Sequence, residues 1–292
     1  VKRHSFPTRR SSDLATGSTV KGIRVEYLKG IPVLLPPLPE QKKIAAILSS
    51  VDEAIQATQL LIDQTRRVKE GLLQDLLTRG LPGHTRFKQT EIGEIPEDWT
   101  APLLDEVSHR GSGHTPDKKH PEYWGGDIKW VSLADSHRLD DVFISETTSC
   151  ITPAGVANSS AVVHPAGSVL VSRDASVGRS AIMVCDMAVS QHFIAWRCSA
   201  NLDNLFLYYV LQKHKPRFEQ IAAGSTIKTI GLGYFKKLRI PLPALTEQRT
   251  IATRLLAMDE TVWELLRQRS ALVAVKAGLL QDLLTGRVRV SP

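Results

Sequence analysis

Residues 38–77, LPEQKKIAAILSSVDEAIQATQLLIDQTRRVKEGLLQDLL, and residues 245–284, LTEQRTIATRLLAMDETVWELLRQRSALVAVKAGLLQDLL, are two versions of one sequence. The similarity begins upstream, where GSTVKGI from Gly17 matches GSTIKTI from Gly224. The copies align without a gap at an offset of about 207 positions, with roughly 26 identities in roughly 64 positions. A period this long is not that of a solenoid repeat. It indicates a duplicated module, with residues 81–223 between the copies.

Each copy predicts a strand followed by a long helix. Residues 31–37 and 238–243 are short apolar runs that end in prolines, which favours a last strand that continues into an extended connector. The helix that follows has apolar residues at spacings of three and four for about ten turns, a pattern typical of a coiled coil. These positions are Ile44, Leu48, Val51, Ile55, Ile62, Leu72 and Leu76 in the first copy, and Ile251, Leu255, Met258, Val262, Leu265, Leu272, Val275, Leu279 and Leu283 in the second.

Polar residues interrupt this apolar stripe at Thr58, Thr65 and Arg269. A helix of about 55 Å with a single apolar stripe must pair with another helix in water. The other copy is the obvious partner, and because the intervening segment returns the chain to its start, we expect the two helices to pack antiparallel. The alternative is an ordinary helical hairpin inside a globular domain.

Composition narrows the class of protein. The 292 residues carry a net charge of +7, with an isoelectric point near 9.4, which suits a polyanionic partner. No apolar run approaches 18 residues, so we expect no membrane span. Cys150, Cys185 and Cys198 lack CxxC spacing, which indicates a reducing, cytoplasmic compartment and argues against a structural zinc site. We predict no metal ligands.

The segment between the long helices predicts a separate α+β domain. Strand-forming runs occur at residues 128–133, 161–163, 168–172, 181–184 and 193–197, and residues 201–218 have a helical pattern with Leu205, Tyr208, Tyr209 and Leu211 inward. Its charge is lopsided: residues 84–163 hold 7 Lys and Arg against 13 Asp and Glu, whereas residues 164–243 hold 10 against 4. The second half therefore suits phosphate binding.

Several motifs together resemble one known family. PLPEQKKIAAILSSVDEAI from Pro37 and GLLQDLLT from Gly71 resemble the conserved region of specificity subunits of type I restriction–modification enzymes. IGEIPEDW from Ile92, HPEYWGGDIKWV from His120 and PAGSVLVSRDASVGRSAI from Pro165 resemble a target-recognition domain of that family. The resemblance implies a non-catalytic protein without cofactors that recognises double-stranded DNA for separate methylation and restriction subunits. It also implies two recognition domains separated by two long antiparallel helices, of which this sequence contains one complete domain.

We therefore predict an α+β fold, with one target-recognition domain of mixed sheet and small helices plus two long antiparallel coiled-coil helices. The predicted divisions are a leader at 1–15, the remnant of a first recognition domain at 16–38, helix one at 39–80, the recognition domain at 81–243, helix two at 244–286 and a tail at 287–292. The basic, Ser-rich leader, VKRHSFPTRRSSDL, resembles a cloning scar and is left out of fold reasoning. On this interpretation the gene is truncated or the sequence is a fragment.

Three stretches are candidate DNA contacts. The loop at 172–179 combines donors, an acceptor and small residues, which direct recognition of base edges requires. The pair at 191–192 is the second. The third is the Gly-Ser-Thr opening of the second copy, which recurs in the first copy. This opening either holds a phosphate or is a turn that the closing strand of the fold requires. The predicted contacts are Ser172, Arg173, Ser176, Arg179, Gln191, His192, Ser225, Thr226 and Lys228. Trp124 and Trp130 are interpreted as core aromatics rather than base-stacking platforms.

Catalytic motifs are missing from the sequence. It contains no P-loop, no adenine-methyltransferase motif with a Pro-Pro-aromatic core, and no clustered carboxylates with lysine. A DNA-specificity module is thus favoured over a structural coiled-coil adaptor, a non-functional fragment or a small methyltransferase. If the chain is complete, we expect a homodimer on an interrupted palindrome. If it is truncated, the native protein recognises an asymmetric site.

Overall fold

The computed structural model describes residues 15–16, 22–23, 25, 29–30, 35–223 and 229–291. The helices are α1 (Leu38–Leu76), α2 (Leu104–Val107), α3 (Pro153–Ala157), α4 (Asn204–Ala223), α5 (Leu232–Phe235) and α6 (Leu245–Leu284). The strands are β1 (Ala15–Thr16), β2 (Gly22–Ile23), β3 (Phe87–Thr90), β4 (Gly93–Pro96), β5 (Ser108–Ser112), β6 (Trp124–Val131), β7 (Phe143–Ile144), β8 (Ser149–Ile151), β9 (Val163–His164), β10 (Val169–Ser172), β11 (Ser180–Met183), β12 (Met187–Val189) and β13 (Phe193–Cys198).

These elements belong to two compact units. The first comprises Val1–Leu60 and Leu266–Pro292, and the second comprises Leu61–Leu265. Both long helices therefore contribute one half to each unit. The predicted last strand of the first copy, residues 31–37, lies mostly outside the described residues; β1 and β2 pair antiparallel ahead of it.

The first unit is built on the beginning of α1 and the end of α6. Asp52 accepts a hydrogen bond from Lys276 at 2.6 Å, and Glu40 accepts two from Arg289 at 2.7 and 2.6 Å. As residue numbers rise along one helix they fall along the other, so the two segments are antiparallel. The positions between them alternate at spacings of three and four, as a heptad seam requires. The buried or half-buried seam residues are Ile44, Leu48, Val51, Ile55 and Thr58 on α1, and Arg269, Leu272, Lys276, Leu279 and Leu283 on α6.

One predicted seam residue was wrong. Val275 is 52% exposed, and Lys276 takes the seam position instead. Both residues satisfy a spacing of three or four from Leu272 and Leu279, but only Lys276 keeps the heptad in phase. The lysine stem packs in the seam while its ammonium group pairs with Asp52.

The helix segments of the second unit are also antiparallel. Lys69 forms an ion pair with Asp259. The backbone N–H of Leu81, twelve residues after Lys69, donates to Glu247, which lies twelve residues before Asp259. The seam residues here are Ile62, Thr65, Lys69, Leu72 and Leu76 on α1, and Ile251, Leu255, Met258, Val262 and Leu265 on α6. Two antiparallel coiled-coil helices and an α+β domain were predicted, and that fold class is confirmed.

Two sheets form the rest of the second unit. The larger has the order β5-β13-β10-β11-β7, and all its pairs are antiparallel except β11–β7. The smaller has the order β8-β6-β12-β9. The strand predicted at 161–163 appears as β9 in the smaller sheet, whereas β10, which follows it after a short turn, is central in the larger. Strand order depends on long-range pairing, which the local pattern does not contain.

The larger sheet is buried on both faces. Val169, Val171 and Ile194 pack with α4 and with the ends of α1 and α6 that belong to this unit. Leu170 and Phe193 point the other way, into a second cluster with Val131 and Met187 from the smaller sheet. Because side chains alternate along a strand, the fully apolar run of β10 supplies both clusters. The turns that follow β10 and β12 carry the predicted contact residues at 172–179 and 191–192.

Candidate nucleic-acid interface

The loop at residues 172–179 connects β10 to β11, two neighbouring antiparallel strands. It is a tight turn: Ala175 has a φ of 58° and Gly178 a φ of 83°. A Cβ on Gly178 would lie 2.9 Å from Cγ of Lys215, so α4 passes too close for any larger residue there. The loop is thus fixed in shape by its backbone and by α4.

Asp174 connects this loop to two other stretches. One carboxylate oxygen lies 2.8 Å from Nδ1 of His192, and the other accepts a hydrogen bond from Thr229. The backbone N–H of Arg173 donates to the carbonyl of His192 at 2.9 Å, and that of Ile230 donates to the carbonyl of Arg173 at 2.9 Å. The structure therefore brings together the loop and the pair at 191–192, as well as Thr229, the first described residue after the third predicted stretch.

The loop residues differ in what they expose. Ser172 is fully buried, and its hydroxyl donates to the carbonyl of Asp174 at 2.8 Å, which shapes the loop. Arg173 is half-buried, and its Nε donates to the carbonyl of Ile230 at 3.0 Å. Arg179 donates to the carbonyl of Ser136 at 2.9 Å. Ser176 and Arg179 line a cavity of about 340 Å³ together with Lys215.

Gln191 and His192 occupy the turn between β12 and β13. The carboxamide oxygen of Gln191 accepts a hydrogen bond from Thr115 at 2.6 Å, and its nitrogen lies 3.4 Å from Nε2 of His192. Since the carboxylate of Asp174 can only accept, Nδ1 of His192 is the donor in this contact, and Nε2 is the ring nitrogen that faces Gln191. The turn consequently offers an amide and an imidazole held in fixed orientations.

The third predicted stretch cannot be placed. Ser225, Thr226 and Lys228 lie outside the described residues. Their assignment as DNA contacts, like that of the other predicted contact residues, stays a prediction.

Basic side chains around α4 and α5 fall into two groups. Lys213 donates to the carbonyl of Leu77 at 3.1 Å, and burial lowers its pKa to about 8. Arg217, Lys236 and Lys237 are exposed. The exposed group is available to phosphates, whereas Lys213 joins α4 to the end of α1.

A partly buried hydrogen-bonded group lies at the start of the recognition segment. Oε1 of Glu247 is 2.8 Å from Nε2 of His84 and accepts from the N–H of Leu81 at 3.0 Å, and Oε2 accepts from the indole of Trp99 at 3.1 Å. Nδ1 of His84 is 3.3 Å from Asp98. Among the described residues this His–Asp–Glu group has the spacing of a metal site. With both imidazole nitrogens facing carboxylates, we interpret it as a structural joint.

Sequence reasoning missed the residues that organise the site. Asp174 lies inside the predicted loop but was not selected, and Thr115 and Thr229 were not selected either. An acidic residue beside Arg173 in a basic half-domain is a weak signal for a hydrogen-bonding centre. Thr115 and Thr229 reach the site only through long-range pairing, for which the sequence holds no local signal.

Comparison with known proteins agrees with this architecture. The family model described as the type I restriction modification DNA specificity domain matches residues 5–64 and 96–274. The type I restriction enzyme MjaVIII specificity subunit of Methanocaldococcus jannaschii is 28% identical over 284 residues, covering 94% of this chain and 66% of the relative. The MjaIX specificity subunit of the same organism is 30% identical over 200 residues, covering 68% and 46%. The chain thus spans about two thirds of these relatives or less.

Solved structures share the fold. The HsdS subunit from Thermoanaerobacter tengcongensis superposes with a TM-score of 0.58 at 21% identity, over 95% of this chain and 66% of that one. A chain from a study of complex assembly and conformational transition of the type I restriction–modification system gives 0.63 at 21% identity, over 92% and 65%.

No helix in the described part of the chain is long and apolar enough to cross a membrane. The family model covers most of the chain, and the curated relatives are named specificity subunits. This chain belongs to the family of type I restriction–modification DNA specificity subunits.

Proposed function

We propose that the chain supplies DNA sequence recognition to a type I restriction–modification complex and carries out no chemistry itself. Separate methylation and restriction subunits would perform the reactions. The observation that carries this proposal is the Asp174 network, which holds the loop at 172–179 and the turn at 191–192 together at one edge of the sheets. Fixed polar side chains at such an edge are what direct recognition of base edges requires.

The composition of this surface suits duplex DNA. Gln191 is exposed and offers both an acceptor and a donor, the pair of groups that recognises adenine in the major groove. Arg179 in the loop, Lys215 next to it, and the exposed Arg217, Lys236 and Lys237 supply positive charge for phosphates. We assign Gln191 to base recognition and these basic residues to positioning the protein on the DNA backbone.

Docking of the methylation subunits is assigned to the long helices. Within the first unit, Val273, Val275 and Leu284 of α6 are 47%, 52% and 57% exposed, although they belong to a helix whose seam is already paired. We propose that a methylation subunit covers these exposed apolar residues, which lie outside the paired seam.

Methylation mapping tests the proposal. The chain is co-expressed with cognate methylation subunits, and modified bases are located across the genome. We expect methylation at a defined sequence that disappears when the chain is omitted. A single sequence lost in this way supports the proposal, whereas unchanged methylation without the chain would overturn it.

The competing function is a coiled-coil adaptor that does not touch DNA. It is distinguished by binding of the purified chain to duplex DNA at two salt concentrations. We expect affinity to fall steeply as salt rises, because each phosphate contact releases counterions. A chain that assembles with methylation subunits but shows no salt-dependent DNA affinity, alone or in the complex, would be an adaptor.

A further inference from the structure

A cavity of about 660 Å³ opens beside the turn at 191–192. Its walls include the aromatic rings of Trp124 and Trp130, whose centroids are 5.1 Å apart at an interplanar angle of 87°. Thr115, Lys118 and Gln191 also line it. We call it the tryptophan pocket. Trp130 packs in a small apolar cluster, as the sequence predicted, but both indoles also line this cavity.

The two indoles are held in place by the backbone. Nε1 of Trp130 donates to the carbonyl of His114 at 3.0 Å, and Nε1 of Trp124 donates to that of Asp117 at 3.3 Å. Their polar edges are therefore satisfied within the protein. Trp130 is 6% exposed, so the ring surface that a ligand can meet is mainly that of the half-buried Trp124. Ring surface in a partly polar cavity favours a planar, heteroaromatic ligand.

Ser190 adds a second, independent observation. This residue lines the pocket and is 1% exposed, yet its hydroxyl has no hydrogen-bond partner among the described residues. Its backbone is fully used, with the N–H donating to Val131 and the carbonyl accepting from Phe193. A buried hydroxyl without a partner is costly, and such groups usually have a ligand or water to satisfy them.

We propose that the tryptophan pocket binds one unstacked nucleobase. The base would pack against the ring of Trp124, and the hydroxyl of Ser190 would hydrogen-bond to a ring nitrogen or exocyclic group. Lys118 stands at the same cavity and can pair with the attached phosphate. The base comes either from a DNA strand or from a free nucleotide, and both sources share this chemistry. The proposal does not depend on assembly with methylation subunits.

The pocket differs in kind from the duplex-recognition surface assigned above. Base edges in a groove are contacted while the bases stay stacked, and an indole face cannot reach them. An indole face contributes only when a base is unstacked, and such stacking tolerates all four bases. The pocket therefore predicts affinity for single nucleotides of any base, which the groove contacts do not.

Titration calorimetry of the full chain with dAMP, dGMP, dCMP and dTMP tests this inference. We expect saturable binding of all four at concentrations up to about 10 mM, the range in which a single stacked base with one or two hydrogen bonds binds. Trp124→Ala should weaken binding about tenfold or more. Ser190→Ala should weaken it about threefold to tenfold.

Ser168→Ala is the matched control. Ser168 is also fully buried with a hydroxyl that has no partner among the described residues, but it does not line the pocket. Both serine variants should unfold at the wild-type temperature or above, since each loses an unsatisfied polar group. Only Ser190→Ala should lose nucleotide affinity. Equal affinity of the two serine variants, or no saturable binding of any monophosphate, would overturn the assignment.

The source of the base is decided with a single-stranded oligonucleotide of about twelve residues that contains one 2-aminopurine. If DNA strands supply the base, its fluorescence is quenched by wild-type protein and less by Trp124→Ala, and the strand binds more tightly than a monophosphate. If free nucleotides supply it, the monophosphates bind and the quenching is insensitive to Trp124→Ala. If neither monophosphate binding nor quenching is observed while duplex DNA still binds, the nucleobase assignment is wrong and the proposed function is unaffected.

Discussion

At the scale of single residues, Asp174 determines which ring nitrogen His192 leaves facing Gln191. Its carboxylate faces Nδ1 and so fixes the proton there, which leaves Nε2 beside Gln191. The same carboxylate accepts from Thr229, so one side chain orders three stretches that are far apart in sequence. Ser172 is buried, and its hydroxyl stabilises the loop by donating to the carbonyl of Asp174.

Gln191→Ala should relax recognition at one base position. Gln191 is exposed, and its hydrogen bond with Thr115 fixes the direction of its amide, so its removal deletes a directional contact without disturbing the core. We expect a loss of about 1–3 kcal/mol at the preferred sequence, measured by competition binding over a randomised library. Lys236→Ala, at an exposed basic residue, should instead weaken all sequences equally and reduce the salt slope. A uniform loss for Gln191→Ala would make it a phosphate contact.

His214 should make the fold sensitive to mild acid. Burial, reinforced by the charge of Lys213, lowers its pKa from the ordinary value to about 4, and its ring stacks on Phe218 at 5.8 Å. Because the unfolded chain binds the proton near pH 6.5 and the folded chain does not, stability is full above pH 6.5 and falls as pH drops toward 4. The loss reaches about 2–3 kcal/mol.

The variant His214→Phe keeps the stacking and removes the titration. Denaturant unfolding at pH 7 and pH 4.5 should show a smaller difference for the variant than for the wild type. An equal difference in both proteins would assign the acid sensitivity to other groups.

At the scale of elements, the duplication places the same ion pair in both units. Lys69 with Asp259, and Lys276 with Asp52, occupy identical positions of the two copies. Glu40 and Glu247 are equivalent as well, and each accepts a backbone N–H just beyond the other long helix, from Val290 and Leu81 respectively. The repeated sequence therefore encodes repeated contacts, and polar seam positions set the register of the helices.

The two ion pairs should differ in their contribution to stability. Asp259 also accepts a hydrogen bond from Tyr209 at 2.8 Å and its side chain is 13% exposed, whereas that of Asp52 is 44% exposed. Asp259→Ala would leave a lysine and a buried phenol without their acceptor, at a cost of about 2–4 kcal/mol. Asp52→Ala should cost about 0–1 kcal/mol. Denaturant unfolding of this matched pair checks the difference, and equal costs would contradict it.

Elements that form through contacts between residues close in sequence were predictable, whereas those that depend on contacts between distant segments were not. The long helices were predictable because the seam repeats every seven residues, and Thr58, Thr65 and Arg269 were correctly placed in it. The strands β10, β11 and β13 were predictable from local β-forming runs. The assignment of β9 to the other sheet, and the contact of Thr115 with Gln191, were not, because both depend on pairing between distant segments.

At the scale of the whole molecule, the second unit has a core that the recognition segment does not complete alone. Leu76 and Leu77 at the end of α1, and Ile251 and Leu255 on α6, belong to the same buried cluster as Trp99 and Phe206. The fully buried Gln248 adds polar links, because it accepts from the N–H of Asp203 at 2.8 Å and donates to the carbonyl of Asn201 at 2.9 Å. A segment cut at 81 and 243 would lack part of this cluster, and the predicted division itself stays a prediction.

Transfer of the recognition segment into a related specificity subunit should therefore succeed only if the transferred segment includes the helix residues that complete this cluster. Residues 61–265 carry their own cluster, whereas residues 84–243 alone would expose the faces that Leu76, Leu77, Ile251 and Leu255 cover. Loss of several such buried contacts, at about 2–5 kcal/mol for each large side chain, exceeds the stability of an ordinary domain. We expect residues 61–265 to be soluble and to unfold cooperatively when expressed alone, and residues 84–243 to aggregate. Transferred into a relative, the longer segment should move the methylated half-site with it; specificity that stays with the recipient would place recognition outside residues 61–265.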